Sequence, residues 1–395
     1  MISITKLLYN KNYYGDTLRY AKEAEGSIHG TTTGRGPVVV WNITRTCNLN
    51  CIHCYSASEN KQYENELTTT EAKKFIDDLA AFNVPVILFS GGEPLVRKDL
   101  LDLAAYAKNK NIRTTISTNG TLISQDMARQ FKKIGISYVG ISLDGIKECN
   151  DHFRGQKGAY LKALQGIRNC IQAGQKVGLR FTINKHNYQQ IDDIFRLIEE
   201  ENIPRVCFYH LVYSGRGASL INQDISHEQT RQALDKIIDW AEYFQEKGLQ
   251  KEILTVDNHC DGIYIYEKLK ATDPQKADQA LKLLKINGGN RSGIAIGQVD
   301  SFGSVHPDQF TQDHTLGNIR ERSFQEIWQN DEHPILKGLR NRKPLLKGRC
   351  KECKRQDLCN GNFRARAEAV SGDFWAEDPA CYLTDQEIEL EPKKQ

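Results

Sequence analysis

The chain has 395 residues, of which 39% are hydrophobic and 26% charged, and its net charge at neutral pH is +3. This length fits one large α/β domain with an appendage, or two domains, and the composition is that of a globular protein. So small a charge excess favours no nucleic-acid partner. No stretch approaches the roughly 20 apolar residues of a membrane helix, so we expect no membrane partner either. The N-terminus lacks the apolar core of a signal peptide, which predicts a cytoplasmic location where the 11 cysteines stay reduced.

Short apolar runs alternate with amphipathic segments between residues 37 and 220. The pattern predicts strands at 37–43, 84–90, 112–118, 138–143, 177–184 and 206–212. It predicts helices between them at 68–83, 98–109, 125–134, 158–173 and 188–201, the first opened by a capping box from Thr68 to Glu71. Such alternation predicts parallel βαβ units, and these units are too few for a closed eight-stranded barrel. We therefore expect an α/β fold, a partial (β/α)6 TIM-like barrel whose chemistry lies on the loops at the C-terminal strand ends.

The pattern changes after the predicted barrel. Helices are predicted at 226–247 and 274–286, followed by short strands near Gly303 and Val305, a capped helix at 323–328 and a cysteine-rich tail. We therefore divide the chain into an N-terminal extension (1–36), the barrel (37–220), a helical connector (221–290) and a small C-terminal domain (291–395).

Three cysteines follow the first predicted strand with the spacing C-x3-C-x2-C: Cys47, Cys51 and Cys54. Three thiolates can bind three irons of a 4Fe-4S cluster and leave the fourth iron for a chelating ligand. The amino and carboxylate groups of S-adenosyl-L-methionine (SAM) can supply that chelate. A zinc site with three thiolates is the alternative reading. A ferredoxin-like electron carrier would need a fourth cysteine nearby, and the neighbouring sequence has none.

Small polar residues follow the next three predicted strands. Two glycines in the GGEP segment let the backbone approach a ligand closely, and the glutamate offers an acceptor for an ammonium group. The hydroxyl, amide and carboxylate side chains after the third and fourth strands suit ribose hydroxyls and the SAM carboxylate, although Asn-Gly and Asp-Gly are also common turn pairs. The candidate cofactor-binding residues are Gly91, Gly92, Glu93, Ser117, Asn119, Ser142 and Asp144. Arg154 either reaches a carboxylate of a ligand or forms a structural salt bridge.

The segments CNLNCIHC, GGEP, STNG and SLDG, in this order, resemble the radical SAM superfamily over roughly residues 37–215. The resemblance implies the partial barrel. It also implies reduction of the cluster by an external one-electron donor of flavodoxin or ferredoxin type. SAM would then be cleaved to methionine and a 5′-deoxyadenosyl radical, which abstracts hydrogen from the substrate.

A second group of cysteines lies near the C-terminus: Cys350, Cys353, Cys359 and Cys381. Four thiolates suffice for a closed 4Fe-4S cluster or a structural zinc ion. Their spacing resembles the SPASM/Twitch extension of radical SAM enzymes, but two further cysteine positions of that pattern hold Asp308 and Phe363. We therefore expect one auxiliary cluster, which makes two 4Fe-4S clusters in all, with zinc as the alternative at the second site. Cys149, Cys170, Cys207 and Cys260 are assigned no role.

The stretches at 35–47, 303–310 and 316–319 and the N-terminus resemble the tetrapyrrole-modifying group of the superfamily, and within it the deacetylases of the siroheme-dependent haem pathway. The resemblance implies a small-molecule substrate, 12,18-didecarboxysiroheme, which would lose two acetate side chains and become iron-coproporphyrin III. The alternatives are a haem d1 precursor synthase that removes propionates from the same substrate, a haem synthase, a peptide-modifying SPASM maturase, and a non-enzymatic iron–sulfur sensor.

A flat, polyanionic substrate predicts a pocket with apolar walls and a few basic side chains. The candidates are Arg180, Arg216, Arg364 and Arg366, and the run from 340 to 355 is also basic. An iron in the substrate can take a neutral imidazole as axial ligand, and His306 and His29 are the candidates. His306, His29 and Arg154 complete the set of candidate catalytic residues.

Overall fold

A computed structural model describes residues 1–21 and 27–390 of the chain. Residues 22–26, in the predicted N-terminal extension, and 391–395, in the predicted C-terminal domain, lie outside the described part. The described residues contain one sheet of 11 strands in the order β1-β8-β7-β6-β5-β4-β3-β2-β9-β10-β11. Neighbouring strands from β8 through β2 to β9 run parallel, whereas β1, β10 and β11 are antiparallel to their neighbours.

The strands are β1 (Ile2–Ser3), β2 (Val38–Thr44), β3 (Val86–Gly91), β4 (Arg113–Thr118), β5 (Tyr138–Ser142), β6 (Val177–Ile183), β7 (Arg205–His210), β8 (Glu252–Val256), β9 (Ile296–Val299), β10 (Ser304–His306) and β11 (Gly317–Asn318). The α-helices are α1 (Ile4–Tyr9), α2 (Asp16–Arg19), α3 (Thr69–Ala81), α4 (Leu100–Asn109), α5 (Gln125–Ile134), α6 (Glu148–Arg154), α7 (Ala159–Gln172), α8 (Ile191–Glu200), α9 (His227–Glu246), α10 (Cys260–Thr272), α11 (Pro274–Asn287), α12 (Phe324–Trp328), α13 (Pro334–Arg340), α14 (Gly348–Glu352), α15 (Gln356–Cys359) and α16 (Arg364–Ser371).

The predicted barrel strands correspond to β2–β7 with ends that differ by at most two residues, and the predicted helices between them are present. The capping box from Thr68 to Glu71 opens α3, and a second one from Ser323 opens α12. The fold is the expected α/β fold with a TIM-like barrel. The barrel is partial because the sheet stays open.

The predicted helical connector needs a correction, because β8 lies inside it. This strand pairs in parallel with β7 and all five of its residues are buried. The strand has only five residues, and Glu252 and Thr255 interrupt its apolar character, so the sequence pattern missed it. The sheet also crosses the predicted boundary near residue 290, since β9 pairs with β2. The division of the chain into four parts stays a prediction.

The two faces of the curved sheet carry different side chains. The outer face packs against the helices with large apolar residues, among them the fully buried Trp41, Phe89, Phe181 and Phe208. The inner face, reached by every second residue, carries polar and charged side chains as well as valines and leucines. None of the described helices combines the length and the apolar character that crossing a bilayer requires.

Candidate active site

The three cysteines after β2 face a cavity at the C-terminal strand ends. It holds about 140 Å³ of space accessible to water. Most of the residues predicted to bind the cluster and SAM meet on its wall: Cys47, Cys51, Cys54, Gly91, Gly92, Ser117, Asn119, Ser142 and Arg154. The carboxyl ends of parallel strands lie at one edge of a sheet, so residues far apart in the chain are brought together there.

The surroundings of the cysteine sulfurs suit thiolates that are bound to iron. Burial raises the pKa of Cys47 to about 12 and also raises that of Cys51, so the free thiols are protonated and iron binding must release those protons. The Leu49 N–H donates to Cys47 Sγ at 3.4 Å, and Arg154 Nη1 donates to Cys51 Sγ at 3.6 Å. Such donors favour sulfur that carries negative charge, as it does when bound to iron. The residues present therefore fit a cluster held by three thiolates.

The two glycines of the GGEP segment line the cluster cavity, as predicted, and they also have a packing role. A Cβ on Gly91 would lie 2.3 Å from Thr44 O, and one on Gly92 would lie 2.2 Å from Thr46 O. The Gly92 N–H donates to Thr44 O at 2.8 Å, and the next N–H donates to Thr46 O at 2.9 Å. The glycines thus let the end of β3 pack directly against the loop that carries the first cluster cysteine.

Glu93 is fully buried, and its carboxylate is absent from the lining of the cavity. It accepts hydrogen bonds from Thr118 Oγ1 (2.7 Å), the Asn119 N–H (2.8 Å) and the Leu95 N–H (3.0 Å). Burial raises its pKa to about 7, and these hydrogen bonds limit the rise. In this structure Glu93 joins the loops after β3 and β4, while the neighbouring glycine backbone forms the wall of the cavity.

Asp144 is also fully buried, and its charged partner is Arg154. It forms an ion pair with Arg154 and accepts from the Thr182 N–H at 2.6 Å, and His53 Nε2 lies 3.4 Å from its Oδ2. Burial disfavours the charge on Arg154, yet Asp144 and Cys51 raise its pKa. Burial lowers the pKa of His53 to about 4, so this ring is neutral. The structural salt bridge predicted as one option for Arg154 is present, and its guanidinium also reaches a cluster cysteine.

The second group of cysteines lines another cavity of about 150 Å³: Cys350, Cys353, Cys359 and Cys381. A fifth thiol, that of Cys260, lines it as well, although the spacing pattern assigned this residue no role. Cys260 is 1% exposed at the start of α10, and Asn362 Nδ2 donates to its sulfur at 3.6 Å. Burial raises the pKa of Cys353 to about 11 and that of Cys359 above its usual range. The four predicted thiols, without that of Cys260, line one cavity and fit the expected auxiliary cluster.

The predicted axial ligands lie elsewhere in the described structure. His306 is buried on β10, where its Nδ1 is 3.2 Å from His314 O, and His29 Nε2 is 3.4 Å from Asp331. Neither lines the cluster cavity or the barrel cavity described below. The histidines that do are His53, His210 and His259.

The sequence analysis missed His210, which ends β7 and therefore lies where strand-end reasoning points. Its Nε2 is 2.9 Å from Asp261 Oδ2, and Tyr382 donates to Asp261 Oδ1 at 2.8 Å. These three buried side chains connect the wall of the first cluster cavity with the residues next to Cys260 and Cys381.

Of the four arginines predicted singly, Arg180 lines both the first cluster cavity and the barrel cavity described below. Arg349, from the predicted basic run, lines the second cluster cavity. Arg216 donates to the backbone carbonyls of Cys51 and Ser58, so it holds the cluster loop. Arg364 donates to backbone carbonyls at the start and end of its own helix region, and Arg366 forms a fully buried ion pair with Asp378. The last three are therefore structural residues.

A larger cavity, the barrel cavity, occupies the inside of the open barrel below the first cluster site. It holds about 340 Å³ of water-accessible space. It shares the side chains of Arg180, Tyr209, Asp257, Gln309 and Phe310 with the cluster cavity. The two positions where the SPASM pattern lacks its cysteines, Asp308 and Phe363, both line it. The replacement residues therefore form part of the wall of a cavity.

Two family descriptions match the chain: the radical SAM superfamily over residues 41–198, and the iron–sulfur cluster-binding SPASM domain over residues 296–354. The chain is 55% identical to the Fe-coproporphyrin III synthase of Methanosarcina barkeri, over 98% of this chain and 99% of that protein. It is 43% identical to the pre-heme d1 synthase of Dinoroseobacter shibae, over 88% of this chain and 86% of that protein. Streptococcus suis SuiB, solved with the precursor peptide SuiA, shares the fold with a TM-score of 0.71 at 19% identity, over 89% of this chain and 76% of that one.

Proposed function

Because this chain belongs to the radical SAM superfamily and carries a SPASM domain, we propose that it removes two acetate side chains from 12,18-didecarboxysiroheme to give iron-coproporphyrin III. The motifs that resemble this group of enzymes support the proposal. So does the similarity, along nearly the whole length of both chains, to a protein named for the synthesis of that product.

The observation that carries the proposal is the contact between two cavities. The space next to Cys47, Cys51 and Cys54 adjoins the barrel cavity, and five side chains, among them Arg180 and Tyr209, line both. A substrate in the barrel cavity would therefore have one end next to the space for SAM. Apolar walls that include Val40 and Leu88 suit the faces of a macrocycle, and the basic residues suit its carboxylates.

The proposal includes two 4Fe-4S clusters, the first on Cys47, Cys51 and Cys54 and the second on Cys350, Cys353, Cys359 and Cys381. When bound, the reduced first cluster and SAM supply the 5′-deoxyadenosyl radical for hydrogen abstraction. We propose a flavodoxin or ferredoxin as electron donor and the cytoplasm as the place of action.

The protein's own part is to orient the reactants and exclude water. The backbone of Gly91 and Gly92 and the side chains of Ser117 and Ser142 line the space for SAM. Ser117 Oγ also accepts a hydrogen bond from Arg180. This contact links the SAM side of the site with the substrate side, so the two ligands would be positioned by one hydrogen-bonded pair.

The test is an anaerobic incubation of the reconstituted protein with dithionite, SAM and 12,18-didecarboxysiroheme, read by product mass. Loss of two acetate side chains together with 5′-deoxyadenosine formation is expected. A Cys47→Ala variant should form neither product, because the first cluster would lack a ligand. Unchanged substrate with the intact protein would refute the proposal.

The haem d1 precursor synthase remains the second candidate, because the pre-heme d1 synthase relative is 43% identical. Loss of propionates from the same substrate, in place of acetates, would identify that reaction in the same mass spectrum.

A further inference from the structure

The inside of this barrel is unusually polar for the core of a sheet. Residues that line the barrel cavity alternate along each strand, for example Arg113 and Thr115 on β4 and Arg205, Cys207 and Tyr209 on β7. In a filled barrel these inward positions hold Val, Ile and Leu. Here several of these inward positions hold Arg or Tyr, so part of the barrel interior is polar or charged.

Two glycines make room for these side chains. A Cβ on Gly140 would lie 2.9 Å from Arg180 Cδ, and one on Gly178 would lie 2.5 Å from the Tyr138 hydroxyl. Gly140 and Gly178 are paired residues on β5 and β6. The strands are therefore shaped so that long polar side chains can lie across the inner face.

The basic residues of the cavity exceed the acidic partners near them. Five arginines line it, Arg19, Arg113, Arg180, Arg205 and Arg291, together with the acids Asp257 and Asp308. Arg19 and Arg205 both pair with Glu252. Among the described residues, no carboxylate lies within ion-pair distance of Arg113, Arg180 or Arg291. Arg291 donates instead to three backbone carbonyls.

Arg113 and Arg180 are thus the arginines of the cavity whose charge is least compensated. The Arg113 guanidinium lies 5.1 Å from the centre of the Tyr14 ring, and that of Arg180 lies 4.7 Å from the centre of the Tyr209 ring. Arg180 also donates to Ser117. Ring stacking compensates a buried guanidinium only in part, and a charge without a counter-ion in an enclosed space is costly.

Buried polar atoms without a hydrogen-bond partner also indicate that this cavity holds a ligand. Several buried atoms that lack a hydrogen-bond partner belong to residues lining this one cavity: Arg113 Nε, Tyr14 OH, Tyr138 OH, His259 Nδ1, Asn287 Oδ1 and Asp257 Oδ2. The first four are, or can act as, hydrogen-bond donors. A ligand that accepts hydrogen bonds and carries negative charge would satisfy these four donors.

We propose that Arg113 and Arg180 bind carboxylate side chains of the substrate inside the barrel, with the macrocycle against the valine and leucine wall. This inference rests on the proposed function and adds the groups that recognise the substrate. Arg180 lies at the boundary with the cluster cavity, so the carboxylate it binds lies near the reacting end. Arg113 begins β4, so it binds a carboxylate at the opposite end of the cavity.

The experiment is an anaerobic absorbance titration of the reconstituted holoenzyme with iron-coproporphyrin III and with its methyl ester. The variants are Arg113→Gln and Arg180→Gln. Arg129→Gln is the matched control, because Arg129 is an exposed arginine on α5 that pairs with Asp126. We expect Kd for the free acid to rise about 10- to 100-fold in each test variant, the range expected for a hydrogen-bonded charge, and to stay unchanged in the control.

Esterification should weaken binding to the unaltered protein and add little to the loss already present in Arg113→Gln or Arg180→Gln. Iron content and the SAM-induced spectral change serve as the check that each variant is folded. Unchanged Kd values in both test variants, or equal affinity of acid and ester for the unaltered protein, would overturn the inference. Arginine-dependent binding without turnover of didecarboxysiroheme would instead refute the proposed reaction and leave this site standing.

Discussion

Replacing Gly92 by alanine tests whether the glycines serve the cluster loop. The added Cβ would lie 2.2 Å from Thr46 O and 2.8 Å from Arg45 O, whereas ordinary contact begins at 3.4 Å. Both obstacles are backbone atoms of the loop before Cys47, so this loop must move away by roughly 1 Å. Such overpacking, with the two hydrogen bonds between these segments weakened, costs about 2–5 kcal/mol locally.

The assay is iron and sulfide content after anaerobic reconstitution, with the electron paramagnetic resonance signal of each reduced cluster. We expect Gly92→Ala to lose the first cluster and keep the second, so iron falls by about half. Gly174→Ala is the control, because Gly174 has a φ of +65° and no atom within 4 Å of its Cβ position. It should show backbone strain without loss of iron. A Gly92→Ala protein with full iron content and normal 5′-deoxyadenosine formation would refute the argument.

Two further predictions concern the surroundings of the clusters. Cys381→Ala should lose the iron of the second cluster. Cys260→Ala should keep that iron and lower the cluster's midpoint potential in a redox titration, because a thiol donor to Cys381 is removed. Iron loss in Cys260→Ala would instead identify Cys260 as a ligand. Arg154→Gln leaves Asp144 buried without its cation and should destabilise the protein by about 3–5 kcal/mol in urea unfolding. The double variant with Asp144→Asn should recover most of that loss, and equal loss in both proteins would contradict the ion-pair explanation.

The sequence alone was sufficient for the local parts of this protein. The cysteines of each cluster site were recognised from their spacing along the chain, which is a local property of the sequence. The alternation of apolar runs with capped helices likewise indicated β2–β7 and the edge of the sheet where the site lies. A strand end can be read from a few residues, so Ser117 and Ser142 were placed at the cavity without knowledge of any contact.

Only the tertiary structure decided which way side chains point and which distant segments meet. Glu93 and Asp144 stand at strand ends, yet both are fully buried: backbone N–H groups donate to both carboxylates, and Asp144 also pairs with Arg154. Cys260 joins the second cluster cavity from a helix 90 residues before Cys350, a distance that no spacing pattern covers.

The barrel cavity depends on the tertiary structure most of all. Its arginines lie in the extension, on three strands and in the segment before β9, and among them the sequence pattern indicated only Arg180. Curvature of the sheet turns every second residue of these strands inward, and β8 and β9 complete the wall from segments whose pairing is long-range. Local pattern therefore determined which cluster-binding chemistry the chain carries, whereas the curvature of the open sheet determined that Arg113 and Arg180 face one cavity.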